Sequence, residues 1–549
     1  MTDIRRTILW VVFSASLFLI WDAWNKHTGH PSFFSPTARP AATAPAAAPG
    51  SAPLVPGSSA SPVAAALPGA TPPAPAASAA AAVAERVTVT TDLVKATLGA
   101  RGGEVDRIEF LKQADAFDRT KNEVLFDESP IRYYVAQSGL IPTSGGTGLP
   151  NHHTVMTLQP GPRTLASGAT TLDVRFESPS VGGLTLAKTY TFRRGSYVID
   201  VRHEIHNSSD APIEPRLYLQ LVRDGNAPPS VSGFLSSFAA STYTGPAIYS
   251  SDSKFQKVEF ESIEKRRAED KINHQVLARD GWVAMVQHYF ASAWLIDPPG
   301  QAAGTAREYF TGKGDTENPA TGKPAHVYSV GMFVPVGTIA PGQTKALDAQ
   351  LFAGPQEENS LSGLAPGLEL VKDYGVFKIL AEPLFWLLTQ LHKLIGNWGW
   401  SIVGLVVLLK IAFYWLNAKA YGSMAKMKAI NPKIMEMRER LKDKPQQMQQ
   451  EMMRIYREEK VNPLGGCLPI VAQMPFFIAL YWVLLSSVEM RNAPWIGWIT
   501  DLSAKDPYFI LPLLMTGTSL LQTWLNPTPP DPVQARMMWI MPLIFSVMF

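Results

Sequence analysis

The stretch Trp398-Gly-Trp-Ser-Ile-Val-Gly-Leu-Val-Val-Leu-Leu-Lys410-Ile-Ala-Phe-Tyr-Trp-Leu416 is apolar almost throughout and carries one charge, Lys410. A helix of this length reaches across about 30 Å of hydrocarbon. The same window finds four more apolar runs: residues 7–21, 468–485, 508–524, and a run from Met537 still apolar at Phe549. The bulk composition hides them. Over 549 residues the chain is 46% hydrophobic and 17% charged, with mean hydropathy +0.01 and net charge +3. An ordinary soluble domain carries about 25% charged residues. Such low charge at average hydropathy implies very apolar segments averaged against polar ones. Full disorder is excluded by the apolar content, and a disulfide scaffold by the single cysteine, Cys467.

Basic residues in the flanks set direction. Residues 417–463 hold eleven Lys and Arg against six Asp and Glu, an excess of 11 − 6 = +5, so this segment is expected on the cytoplasmic side. Arg5 and Arg6 put the N-terminus there too. Residues 1–34 read either as a cleaved signal peptide or as a retained membrane anchor, and the anchor is favoured because Trp21-Asp-Ala-Trp24 offers no small-residue cleavage site directly behind the run. Residues 35–84 collapse to Ala, Pro, Ser and Gly, a linker extended where proline is dense. Everything from there to the second span is expected outside. A chain ending in Ile-Phe-Ser-Val-Met-Phe549 would leave its carboxylate in lipid, so the fifth span is expected to continue past residue 549.

Residues 85–355 alternate polar and apolar residues with frequent turns, as in 87–91, 104–110, 171–176, 184–192, 197–206 and 281–286. So many strands predict a large antiparallel sandwich. His203 and His206, three apart on a strand, point to opposite faces and cannot chelate one ion. The adjacent His152 and His153 read as a solvated loop. No nucleotide, nucleophile-elbow or metal-protease motif occurs, and neither Gly312-Lys313 nor Gly322-Lys323 completes a phosphate loop. Residues 370–396 follow, with Leu380, Leu384, Leu387, Leu388, Leu391 and Ile395 on one helical face and a break expected near Pro383. This predicts an interfacial amphipathic helix.

Residues 397–549 then form a helical transmembrane core. A lysine such as Lys410 costs about 2.5–3.5 kcal/mol at the centre of a membrane helix. Either it snorkels to the interface, six residues away, or it faces a hydrated interior. Gln473, within Pro469-Ile-Val-Ala-Gln-Met-Pro475, is a second polar group in an adjacent span and favours the hydrated interior. Between these spans, residues 418–462 predict a cytoplasmic helical hairpin breaking at Lys442-Asp-Lys-Pro445. Its methionines serve either as core between the two helices or as an adaptable surface. The fold class is thus a multi-domain membrane protein, a large exterior antiparallel β-sandwich plus a transmembrane helical bundle with a cytoplasmic hairpin.

Ser423-Met-Ala-Lys-Met427, Asn431-Pro-Lys433, Met437-Arg-Glu-Arg440, Val461-Asn-Pro-Leu-Gly-Gly-Cys467, Gln473-Met-Pro-Phe476 and Asp501-Leu-Ser-Ala-Lys-Asp-Pro-Tyr508 appear in order and at the spacing of one family. With them the chain resembles the YidC-type membrane protein insertases. The likeness is dense over residues 370–549, and Gly281-Trp-Val-Ala-Met285 near Tyr289-Phe-Ala-Ser-Ala-Trp294 extends it into the sandwich.

The resemblance implies a helical core around a hydrophilic groove and an exterior super-sandwich without known catalysis. It implies an insertase and chaperone rather than an enzyme, needing no cofactor. Location would be the bacterial inner membrane. The implied partners are nascent membrane proteins, the Sec translocon, the ribosome and the lipid bilayer, with no specific nucleic-acid sequence. It places Lys410 at the groove cation, commonly Arg, and Gln473 on the same groove. Phe477, Met515 and Phe549 match positions that meet the entering helix. Val406, one turn before the cation, departs from an often polar position, and a sixth span expected of the family is absent. Two rivals stand beside this reading: a solute transporter with Lys410 as counter-ion, and a sugar enzyme on a membrane stalk.

Overall fold

The computed structural model describes residues 85–116, 118–143, 148–226, 243–267, 270–296, 306–318, 323–375, 377–441, 444–459, 468–526 and 532–548. The expected anchor (1–34), the linker (35–84) and Phe549 lie outside the described residues.

Two antiparallel sheets stack face to face. The ten-stranded sheet runs in the order Arg86–Thr90, Val94–Gly99, Glu104–Ala114, Arg132–Pro142, Pro215–Asp224, Lys323–Pro335, Arg307–Asn318, Leu277–Ala278, with two short strands attached along it. The nine-stranded sheet runs Lys254–Lys257, Gly245–Ser250, Trp282–Val286, Phe290–Leu295, Thr344–Pro355, Val198–Asn207, Leu184–Arg193, Thr171–Glu177, Thr157–Leu158. Alternation explains how they pack. Along Val198–Asn207 the side chains of Ile199, Val201, His203 and Ile205 are buried, while Arg202 and His206 on the other face are exposed. Both inner faces merge into one core that includes Phe110, Tyr134, Phe176, Leu219, Met285 and Trp294.

His152 differs from its expected solvated loop. It is buried, its backbone N–H donates to the Tyr218 hydroxyl at 3.0 Å, and its Nδ1 lies 2.5 Å from the same oxygen. A tyrosine distant in sequence supplies the partner that makes burial tolerable.

The last strand leads into residues 358–371, which cover the outside of the second sheet with Leu361, Leu368 and Val371 against Tyr249 and Trp282. Trp282 Nε1 donates to Pro366 O at 3.0 Å. Seven helices follow among the described residues: α1 (Lys378–Ile395), α2 (Trp398–Ala412), α3 (Tyr414–Arg440), α4 (Pro445–Glu458), α5 (Leu468–Ser486), α6 (Ile510–Leu525) and α7 (Pro532–Met548). α1 does not break at Pro383. The proline is its sixth residue, so the missing N–H removes only the bond to the carbonyl of Ile379 in the first turn. Gly396, at φ +73°, ends α1 in the left-handed conformation that glycine adopts without penalty. The Asn397 side chain then caps α2 by accepting from Trp400 N–H at 3.1 Å.

α1, α2 and α5 share a core of Leu384, Phe385, Leu388, Leu405, Leu480 and Val483. α3 and α4 form a hairpin whose seam joins Ile430, Ile434 and Met437 to Met448, Met452 and Ile455. Met427, Met448 and Met452 thus serve as core, whereas Met435 and Met453 remain exposed. Among the described residues no single helix is long and apolar enough to cross a membrane alone. α2 and α3 pass that test together, bent by 63°.

Candidate functional site

The bend falls at Phe413 (φ −91°, ψ 7°), without proline or glycine. Side chains hold the new direction. The Phe413 ring meets Phe476 of α5 edge-on at 5.0 Å, and Gln473 Nε2 of α5 donates to Asn417 Oδ1 of α3 at 2.8 Å. Gln473 is buried, so the amide that looked costly in an apolar span has its partner. Asn417 is a site residue that the sequence pattern does not single out: it is the one amide beside an aromatic and aliphatic run and lies just past the apolar span ending at Leu416.

Lys410 sits three residues before the bend, exposed, with its Nζ 5.4 Å from the centroid of the Phe477 ring. That distance permits a cation–π attraction of about 0.5–1 kcal/mol at an exposed site. Among the described residues it has no carboxylate partner. Phe477 is one helical turn beyond Gln473 on α5, so Lys410, Phe477, Gln473 and Asn417 meet where α2, α3 and α5 converge. Val406 packs instead with Leu409 against the core shared by α1, α2 and α5. Met515 is on α6, whose principal packing partner is α7, and is 37% exposed. A second cation, Lys419, lies over Trp415 at 3.8 Å just past the bend.

Salt links join the sandwich to the helices. Arg491, after α5, donates to Glu123 at 2.9 Å and to Ala114 O at 2.6 Å. Arg119 pairs with Asp501 at 2.8 Å, and His288 Nε2 meets Leu485 O at 2.8 Å. Lys372, fully buried, pairs with Glu489 at 3.4 Å and lies 3.8 Å over Phe385.

The sandwich also encloses an ionisable cluster. Lys188 Nζ donates to Gly102 O (2.6 Å) and Ser138 O (2.8 Å), Gln137 donates to Glu104 (2.8 Å), and Ser138 Oγ lies 2.9 Å from His203 Nε2. Burial pushes Glu104 above and Lys188 below their usual ranges, and takes His203 down to about 3. The groups most suited to acid–base work are thus sealed in, and neither of two cavities of about 520 and 400 Å³ is lined by them.

Comparison with known proteins follows the same division. Residues 86–387 match the family model of the YidC periplasmic domain, and residues 390–549 match that of the 60Kd inner membrane protein. A protein of Cupriavidus necator, named membrane protein insertase YidC, is 51% identical over 549 residues, covering all of this chain and 93% of the relative. One of the same name from Janthinobacterium sp. is 48% identical over 564 residues, covering all of this chain and 94% of its own. Among solved structures, a galactose mutarotase related enzyme from Lactobacillus acidophilus aligns at TM-score 0.30 and 8% identity, covering 49% of this chain and 97% of its own. A periplasmic domain followed by an inner-membrane part is the class the two family models define. The chain belongs to the YidC family of membrane protein insertases.

Proposed function

We propose that this chain is a membrane protein insertase and chaperone of the bacterial inner membrane, with its N-terminus and the α3–α4 hairpin cytoplasmic and its sandwich periplasmic. Apolar client segments enter a hydrated, positively charged groove around Lys410 and leave sideways into lipid. The observation that carries the reading is Lys410 itself: an exposed ammonium on an apolar helix, without a carboxylate partner among the described residues, beside Phe477 and the Gln473–Asn417 pair. The basic excess of residues 417–463 supports the orientation.

The physical task is to carry a short polar flank past hydrocarbon, where each unpaired polar group costs several kcal/mol. Lys410 attracts acidic flanks, Gln473 and Asn417 offer hydrogen bonds, and Phe477 with Met515 and Phe549 meets the apolar part of the client. That part then gains about 25 cal/mol per Å² of surface buried on entering lipid. Lys410 acts as an electrostatic receiver and transfers no proton, so the process is not enzymatic and requires no cofactor. The Sec translocon and the ribosome are the natural partners, with the +5 hairpin meeting the ribosome. The test is insertion into proteoliposomes. Lys410→Arg retains the charge and is expected to retain insertion, while Lys410→Glu impairs clients with acidic flanks. Equal yields for Lys410→Glu and the unaltered chain would defeat the reading.

A further inference from the structure

The cavity of about 520 Å³ lies away from Lys410, at the N-terminal end of α2 beneath the loop joining α5 to α6. Ile402, Val403, Trp498, Ile499, Leu502 and Leu511 give it apolar walls, and Arg119, Asp501, Lys505 and Asp506 line its charged part. The wall is closely built: a Cβ on Gly399 would come within 2.2 Å of the Trp495 ring. Three of the four charges are committed. Arg119 donates to Asp501 (2.8 Å) and Thr500 (3.1 Å). Asp501 also accepts from the Ser503 N–H (2.8 Å), and Asp506 accepts from the N–H groups of Leu511 (2.8 Å) and Tyr508 (3.0 Å) and from Trp498 Nε1 (3.1 Å). Lys505 is exposed and has no partner among the described residues, so the site offers apolar walls and one uncommitted cation.

We propose that this cavity binds one phospholipid of the outer leaflet, its phosphate on Lys505 and an acyl chain between α2 and the α5–α6 loop. Shape argues against a client helix. A cylinder about 10 Å wide filling that volume is only about one helical turn long, whereas a single acyl chain needs no such width. The volume falls in the roughly 300–1,000 Å³ range of small-molecule sites. Because Arg119 belongs to the sandwich, the bound lipid would sit where the sandwich meets the helices. The inference rests on the membrane placement of the helices and goes beyond the insertase reading, since it needs no client.

The test uses the full chain in nanodiscs with a phospholipid carrying a photoreactive acyl chain, the labelled peptides being mapped after irradiation. Label is expected on residues 398–403 and 495–511. Lys505→Glu should lower it about tenfold, the scale of one charge-assisted hydrogen bond. Val403→Trp, which fills the cavity, should abolish it while label on exposed Val471 and Leu514 persists. A diacylglycerol probe, lacking phosphate, should label the cavity about tenfold less. Equal cavity labelling in both variants, or equal labelling by diacylglycerol, would overturn the proposal. An unlabelled cavity beside labelled Val471 and Leu514 overturns it alone, whereas no label anywhere on α5 and α6 overturns the membrane placement with it.

Discussion

Lys372→Met keeps the length of the side chain and removes its charge from the joint between sandwich and helices. The Lys372 Nζ lies 3.4 Å from both Glu489 oxygens, and the two side chains are 0% and 18% exposed. Stripping one partner from a buried pair costs about 3–5 kcal/mol, because the other charge is left without compensation. The 18% exposure of Glu489 lets water reach it, which puts the expected loss near the lower end, about 3 kcal/mol. Burial already holds the Glu489 carboxyl above its usual range, with the Lys372 ammonium opposing that rise. A carboxyl raised in the folded state binds its proton more readily there than in the unfolded chain. Its contribution to stability therefore falls as pH climbs from the unfolded value, about 4.3, through the folded one. Without Lys372 that window widens upward, so the defect is largest near pH 8 and shrinks towards pH 5. Amide exchange over residues 368–374 and 487–491 in nanodiscs reads this locally, where about 3 kcal/mol corresponds to roughly hundredfold faster exchange. Adding Glu489→Gln should restore most of the protection. Unchanged exchange at pH 8, or a defect as large at pH 5 as at pH 8, would show that the Lys372–Glu489 pair does not hold this joint.

Two further outcomes follow from the same geometry. Asp106 is pushed up to about 7 by burial and by Glu128, with Arg86 opposing. Sandwich stability should therefore decline from pH 4 to 7, and Asp106→Asn should flatten that decline in amide exchange over residues 86–110. Gln473→Leu strands the Asn417 amide and should cost about 1–3 kcal/mol in thermal unfolding, while Asn417→Leu together with Gln473→Leu should recover most of it.

The apolar runs around α2, α5, α6 and α7 were legible because length and hydropathy alone distinguish them, and the strands because burial on one face imposes alternation. Lys410 was legible for the opposite reason: a charge inside an apolar run is costly enough to demand an explanation. The bend at Phe413 left no local signal. The ring and the amide that meet it are on α5 and reach it only through tertiary packing. The joint was equally silent, since Lys372 meets Glu489 across 117 positions and Arg491 meets Glu123 across 368. Each of these residues reads alone as an ordinary surface charge. Pro383 misled because only five helical residues, 378–382, precede it, so the one bond it removes and its clash with the Ile379 carbonyl fall in the first turn, and the rest of α1 continues undisturbed.

An entering client contacts either the Lys410 site or the outer faces of α6 and α7. Stalled membrane-protein chains presented to variants with a photoreactive residue at 410, 473, 477 or 515 measure that directly. Entry at the Lys410 site predicts crosslinks from 410, 473 and 477 to the same client segment, with 515 reaching its apolar part. Clients that crosslink only to the exposed outer faces of α6 and α7, and never to position 410 or 477, would contradict it.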